Sequence, residues 1–147
     1  MAYRVFAQVE RPDPAQLVKN ATRYFEGSLE ILEQPAPHRL RVRIRSERRG
    51  YAGDFSIESR TTSSDDLEAA TRAEERSRAG GMAALASRCA HVWSIEPDEE
   101  TPALLNLCAI TASVALGPVL PADESALFGV RGAMERLDRL VGRSLAR

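Results

Sequence analysis

Arg39-Leu40-Arg41-Val42-Arg43-Ile44-Arg45 decides how this chain is read. Apolar and charged residues alternate without a break, and a β-strand sends successive side chains to opposite faces. Leu40, Val42 and Ile44 therefore face a core, and Arg39, Arg41, Arg43 and Arg45 stand in one row on the other face. Such alternation marks an antiparallel sheet with one buried and one wet face.

Strand patterns flank this segment. Ser28 to Glu33 carries Leu29 and Ile31 on one face, and Gln34-Pro35-Ala36-Pro37 reads as a turn, because proline cannot donate to a ladder. Ser46 to Gly53 reads as a connecting loop. Asp54 to Arg60 is the return strand, with Phe55 and Ile57 inward.

Towards the N-terminus, Tyr3 to Val9 alternates as a further strand, with Tyr3, Val5, Ala7 and Val9 on one side and Arg4, Phe6 and Gln8 on the other. Pro12-Asp13-Pro14 ends it and opens a helix, with Asp13 as N-cap and Pro14 in the first turn. Leu17, Val18, Ala21, Tyr24 and Phe25 recur at helical spacing before Gly27 stops the helix.

Towards the C-terminus, Asp65 and Glu68 have capping-box spacing at the start of a helix reaching about Arg88. Gly80-Gly81 interrupts it, which predicts a kink or two pieces. Ala90 to Glu96, with Val92, Trp93 and Ile95, reads as a fifth strand. Thr101 and Pro102 then open an apolar helix to about Leu116, stopped by Gly117-Pro118. A last helix is expected from about Asp123 to Ala146. Its apolar side runs through Leu127, Val130, Met134, Leu137, Leu140, Val141 and Leu145. Gly129, Gly132 and Ala133 there suit close helix packing.

The order along the chain is βαβββαβαα. It predicts a single α+β domain over residues 1–147: a mostly antiparallel five-stranded sheet with helices packed on one face. The 147 residues, 44% hydrophobic and 28% charged, suit a chain that buries its own core, filled mainly by aliphatic residues since aromatics are 5%. No apolar leader opens the chain. The apolar run Ala103 to Leu120 is broken by Asn106, Thr111, Ser113 and Gly117-Pro118, so it reads as a buried helix and not a membrane span. A cytoplasmic location is expected. Cys89 and Cys108 sit among apolar neighbours and read as reduced core residues.

Net charge is −1, which argues against a body that is cationic throughout. The local picture differs. Arg48 and Arg49 continue the row, so residues 39–49 hold six arginines against one glutamate, next to Tyr51. Lys19 is the only lysine, so the positive charge is guanidinium, a planar donor fork suited to carboxylates and phosphates. Like charges roughly 7 Å apart along a strand repel unless something answers them. Glu30, Glu33, Asp54 and Glu58 on the neighbouring strands can do so. Otherwise the row awaits an external anion.

Three functions follow. The first is a protein-interaction module (an adaptor, inhibitor or immunity-type partner) binding an acidic protein surface through Arg39, Arg41, Arg43, Arg45, Arg48, Arg49 and Tyr51. The second is a nucleic-acid-binding regulator using the same strand, with Tyr51 as a stacking face. The third is a small enzyme using Cys89 or His91, which are two apart and would share a face on a strand. No metal-ligand spacing, phosphate-cradling glycine loop or catalytic signature is present, so neither cofactor nor metal is expected. The acidic run Glu96-Pro97-Asp98-Glu99-Glu100 reads as a wet loop, or as the complement of the arginine strand in head-to-tail self-association. The last helix offers an alternative homodimer seam.

Overall fold

A computed structural model describes residues 1–77 and 80–145, with side chains through residue 142. The expected helix end at Ala146 and the side chain of Leu145 lie outside that range. The elements are β1 (Tyr3–Ala7), α1 (Pro14–Tyr24), β2 (Ser28–Ala36), β3 (Arg39–Ser46), β4 (Tyr51–Thr61), α2 (Ser64–Ser77), α3 (Met82–Ala86), β5 (His91–Glu96), α4 (Pro102–Ala115), β6 (Val119–Leu120) and α5 (Val130–Leu145).

The class is α+β, and the sheet is antiparallel throughout, in the order β2-β3-β4-β5-β1-β6. It has six strands where the sequence suggested five. The sixth, Val119–Leu120, is too short for any periodicity, and it forms because Arg4 and Val5 offer β1 a free edge. The strand β2 runs through Pro35 to Ala36 instead of turning at Gln34. Pro35 is tolerated because β2 lies at the sheet edge, where the register shifts between Ile31 and Glu33 and again between Glu33 and Ala36. The strand β4 begins at Tyr51, so the expected loop to Gly53 shrinks to a tight turn.

Helices cover both faces, which corrects the one-sided expectation. On the inner face, Val5, Leu40, Val42, Ile44, Ile57, Trp93 and Ile95 pack under α1, α4 and α5. The helix α4 is buried on nearly every side, as an all-round apolar helix must be. Asp13 and Thr101 cap α1 and α4 as their sequences predict, accepting from the N–H groups of Ala15 and Leu104. The outer face is covered only at its β5-β1-β6 end. There Phe6, Val92 and Leu120 point away from the main core and meet Ala69, Ala70 and Ala73 of α2 and Ala86 of α3. Small alanines let α2 approach closely enough to bury Phe6 completely. The expected long helix is two pieces, α2 and α3, separated at Gly80-Gly81, with Gly81 at φ +91°.

An ionic cluster anchors α2. The capping box is Ser63 with Asp66, not Asp65 with Glu68. The Ser63 N–H donates to Asp66 Oδ2 at 2.9 Å, and the Asp66 N–H donates to Ser63 Oγ at 3.2 Å. The Asp66 side chain is 2% exposed, and it also accepts from Arg4 Nη1 at 3.0 Å and from Arg60 Nη1 and Nη2 at 2.6 and 2.8 Å. Arg4 then reaches Glu124 at 2.9 Å, and Arg72 of α2 meets the same carboxylate at 3.1 Å. Burial pushes the Asp66 carboxyl up. Its bonds from Arg60, Ser63 and Arg4 outweigh that and hold it well below the usual carboxylate range.

Two tests follow from this packing. A methyl group at Gly117 would be driven into the Phe6 carbonyl oxygen, whereas one at Gly142, on the exposed side of α5, meets nothing within 4 Å. In urea denaturation, Gly117→Ala should lose about 2 kcal/mol or more, and Gly142→Ala should gain about 0.5–1 kcal/mol. Asp66→Asn should cost about 2–4 kcal/mol at pH 7, because it uncouples buried donors from their acceptor. A carboxyl whose pKa falls on folding stabilises above its unfolded value, and that contribution is lost as pH falls through the folded one. The gap between wild type and Asp66→Asn should therefore be full above about pH 5 and narrow steadily below about pH 4.

Candidate functional site

The uncovered half of the outer face, over β2, β3 and β4, carries the arginine row. Its ladder partners decide what each arginine meets. Arg43 lies opposite Asp54 and donates to it twice, Nε to Oδ1 at 2.8 Å and Nη2 to Oδ2 at 3.1 Å. That bond holds the Asp54 carboxyl below its ordinary value, with Arg41 and Arg45 adding to the effect. Arg39 lies opposite Glu58 at 3.5 Å, and Arg41 opposite Glu33 at 3.8 Å. Glu30 stands across from Arg43 without an ion pair. These pairs are exposed and easily screened, so they neutralise the surface more than they stabilise the fold.

Arg45 differs. Its ladder neighbours are Ser28 on β2 and Ala52 on β4, and neither carries charge. Among the described residues, no carboxylate lies within 4 Å of it. Beyond it, the turn Glu47–Gly50 closes by a bond from the Gly50 N–H to Ser46 O at 2.9 Å, with Gly50 at φ +72°. The two turn arginines part ways. Arg49 folds inward, 19% exposed, and joins Asp138 of α5 at 2.9 Å. Arg48 reaches Glu26 at 3.1 Å, yet its side chain is 83% exposed. Arg45 and Arg48 line a hollow of about 500 Å³ together with Glu26, Glu47, Gly27, Ser28 and Ser46, so it holds two carboxylates as well as two guanidinium groups. Gly27, at φ +89°, lies so close to the Arg45 carbonyl that no side chain fits there, which is how the α1–β2 junction reaches the end of β3.

Tyr51 is half-buried against the core, and its hydroxyl accepts from Asn106 Nδ2 at 3.0 Å. Its ring is thus part of the fold, and the exposed end of the hairpin offers guanidinium groups without an aromatic platform. Seven residues were expected to form one surface. Arg39, Arg41, Arg43 and Arg45 do share a face, and Arg48 sits at its end. Arg49 and Tyr51 turn towards α5 and α4. Glu26 and Asp138, which answer the turn arginines, were not picked out from the sequence. They lie 22 and 89 positions from their partners, and nothing local marks them.

The Cys89–His91 pair separates. The strand β5 begins at His91, so the two do not alternate along it: Cys89 enters the outer-face cluster, and His91 lies opposite Ala7 and Thr61. Cys89 is 3% exposed and its thiol donates to Leu85 O at 3.4 Å. Burial pushes that thiol up, away from the thiolate that a nucleophile requires. Cys108 is fully buried in the main core, and its thiol is also pushed up by burial. Among the described residues, no group of three or more His, Cys, Asp or Glu side chains is placed to hold a metal ion, and no helix is long and apolar enough to cross a membrane. The apolar side of α5 that suggested a dimer seam packs on α4 within the same chain, burying Ala133, Leu137 and Val141.

No family model, curated protein or solved structure matches this chain.

Both thiols should be silent towards an aromatic disulfide reagent at pH 7 to 8 while the chain is folded. Two equivalents should appear on unfolding in denaturant. Rapid stoichiometric labelling of native Cys89 would contradict its burial.

Proposed function

We propose that this chain is a protein-interaction module, of the adaptor, inhibitor or immunity type, that engages an acidic protein surface through the arginine-lined edge of the β3–β4 hairpin. The observation that supports this is Arg45. It is the one member of the row without a carboxylate within 4 Å among the described residues, and it stands at an open hollow that Arg48, Glu26 and Glu47 also line, with Arg48 paired to Glu26. A guanidinium fork with free donors favours a planar oxyanion such as a carboxylate. Its neighbours Arg39, Arg41 and Arg43 are already paired with the chain's own acids, which narrows the contact to the hairpin end. Charged rims of this kind govern association rate and partner choice more than raw affinity.

The reading is tested by affinity capture from the native cytosol. Wild type, Arg39→Ala and the double variant Arg45→Glu/Arg48→Glu are compared by quantitative mass spectrometry. The double variant should lose at least one partner that Arg39→Ala retains, and that partner's wild-type complex should weaken as salt rises. Identical recovery by all three proteins would remove the hairpin edge as an interface.

A further inference from the structure

At the end of the sheet opposite the β3–β4 hairpin lies a second hollow, of about 360 Å³, and both histidines of the chain line it. Strand register brings them there. The strand β5 begins at His91, which lies opposite Thr61 at the end of β4 and opposite Ala7 at the end of β1. His38 sits in the turn between β2 and β3, and its carbonyl accepts from the Ser59 N–H at 2.8 Å. Ser59 and Thr61 share one face of β4 and stand about 7 Å apart, so the two histidines flank the same short piece of strand. The segment after β1 supplies a further wall. The buried Ser59 donates its hydroxyl proton to the Glu10 carbonyl, which ties Glu10 and Arg11 over the end of β4.

The charges around this hollow are uneven. Arg60 lines it too, but both of its terminal nitrogens donate to Asp66, so that guanidinium is occupied. Arg11 is exposed, and among the described residues it has no carboxylate within 4 Å. Glu10 is the one carboxylate in the lining. Arg11 and Glu10 cancel, so each imidazole that takes up a proton adds one positive charge, and imidazole is the side chain suited to do so between about pH 5 and 8. The donors come from different sides: Arg11 from the loop after β1, His38 from the turn, Thr61 from β4 and His91 from β5. A planar carboxylate suits a single guanidinium fork, whereas donors converging from several elements suit a tetrahedral oxyanion. We infer that this hollow binds a phosphate group, free or as the monoester of a small molecule, held by Arg11, Thr61 and the protonated imidazoles of His38 and His91. Binding then tightens as pH falls, with Glu10 and Arg60 the other charged groups facing the imidazoles. The site is separate from the arginine edge and does not depend on it.

Calorimetric titration and the imidazole proton resonances of the full chain test this, with inorganic phosphate, ribose 5-phosphate, ribose and sulfate as probes at low ionic strength. At about pH 6, inorganic phosphate should bind with a Kd of about 1 mM or tighter and shift both histidine signals along one binding curve. Sulfate keeps its charge across this range, so its affinity should fall about tenfold or more between about pH 6 and about pH 8. Arg11→Gln and His38→Gln/His91→Gln should each weaken phosphate binding about tenfold or more. Arg45→Glu/Arg48→Glu, at the other end of the sheet, should bind it as wild type does. Thermal midpoints show whether the variants remain folded, and the wild-type histidine shifts stand without them. Tighter binding of ribose 5-phosphate than of phosphate, with ribose inert, marks a monoester as the ligand; equal or weaker binding marks free phosphate. Histidine signals unmoved by either phosphate compound overturn the inference, as do folded Arg11→Gln and His38→Gln/His91→Gln variants that bind as tightly as wild type. Loss of binding in Arg45→Glu/Arg48→Glu alone also overturns it, by moving the anion to the hairpin edge.

Discussion

Asp66 is the joint on which the unequal cover of this sheet depends. A carboxylate 2% exposed would be costly to bury alone. Here it gathers donors from β1 through Arg4, from β4 through Arg60 and from its own helix cap through Ser63. It therefore fixes where α2 begins and how that helix lies over Phe6 and Val92. Arg4 extends the same cluster to Glu124, so the segment leading into α5 is drawn to the sheet as well. Removing the carboxylate would loosen the helix, the sheet face and that segment together.

The position of that joint also leaves half a sheet face bare. The helix α2 covers the β5-β1-β6 end, where the outward residues are apolar, and stops short of β3, where they are arginines. Apolar side chains need cover to leave water, whereas a row of guanidinium groups is better left wet and paired. The cross-strand acids then neutralise the row wherever the ladder supplies one. They fail at Arg45, because Ser28 and Ala52 stand in the flanking positions. The functional proposal thus comes down to strand register: one position in which both neighbours are uncharged.

Much of this was legible from residues alone. The alternation in Arg39–Arg45 fixed the faces of β3, and the acids on either side at Glu33, Asp54 and Glu58 pair with the row as their pattern allowed. The caps at Asp13 and Thr101, the break at Gly80-Gly81 and the burial of the apolar helix were equally readable, because each depends on neighbours within a turn or two. Phe6 and Val92 carried an unread signal. Two apolar residues on the face opposite Val5 and Trp93 require a second covering layer, which α2 and α3 provide. The short β6 gave no periodic signal, and Pro35 within β2 spoke against a strand that edge geometry nevertheless permits.

What the sequence determined by itself is local: which residues share a strand face, where helices start, and that the β3 hairpin concentrates positive charge. Those facts follow from the fixed periods of strand and helix and from the capping of nearby backbone groups. Tertiary structure alone decided which charges meet. It joined Asp66 to Arg4 across 62 residues and Arg49 to Asp138 across 89. Pairing of that kind depends on strand order and helix placement, which arise from burying the whole apolar surface at once. No window of neighbouring residues contains that information.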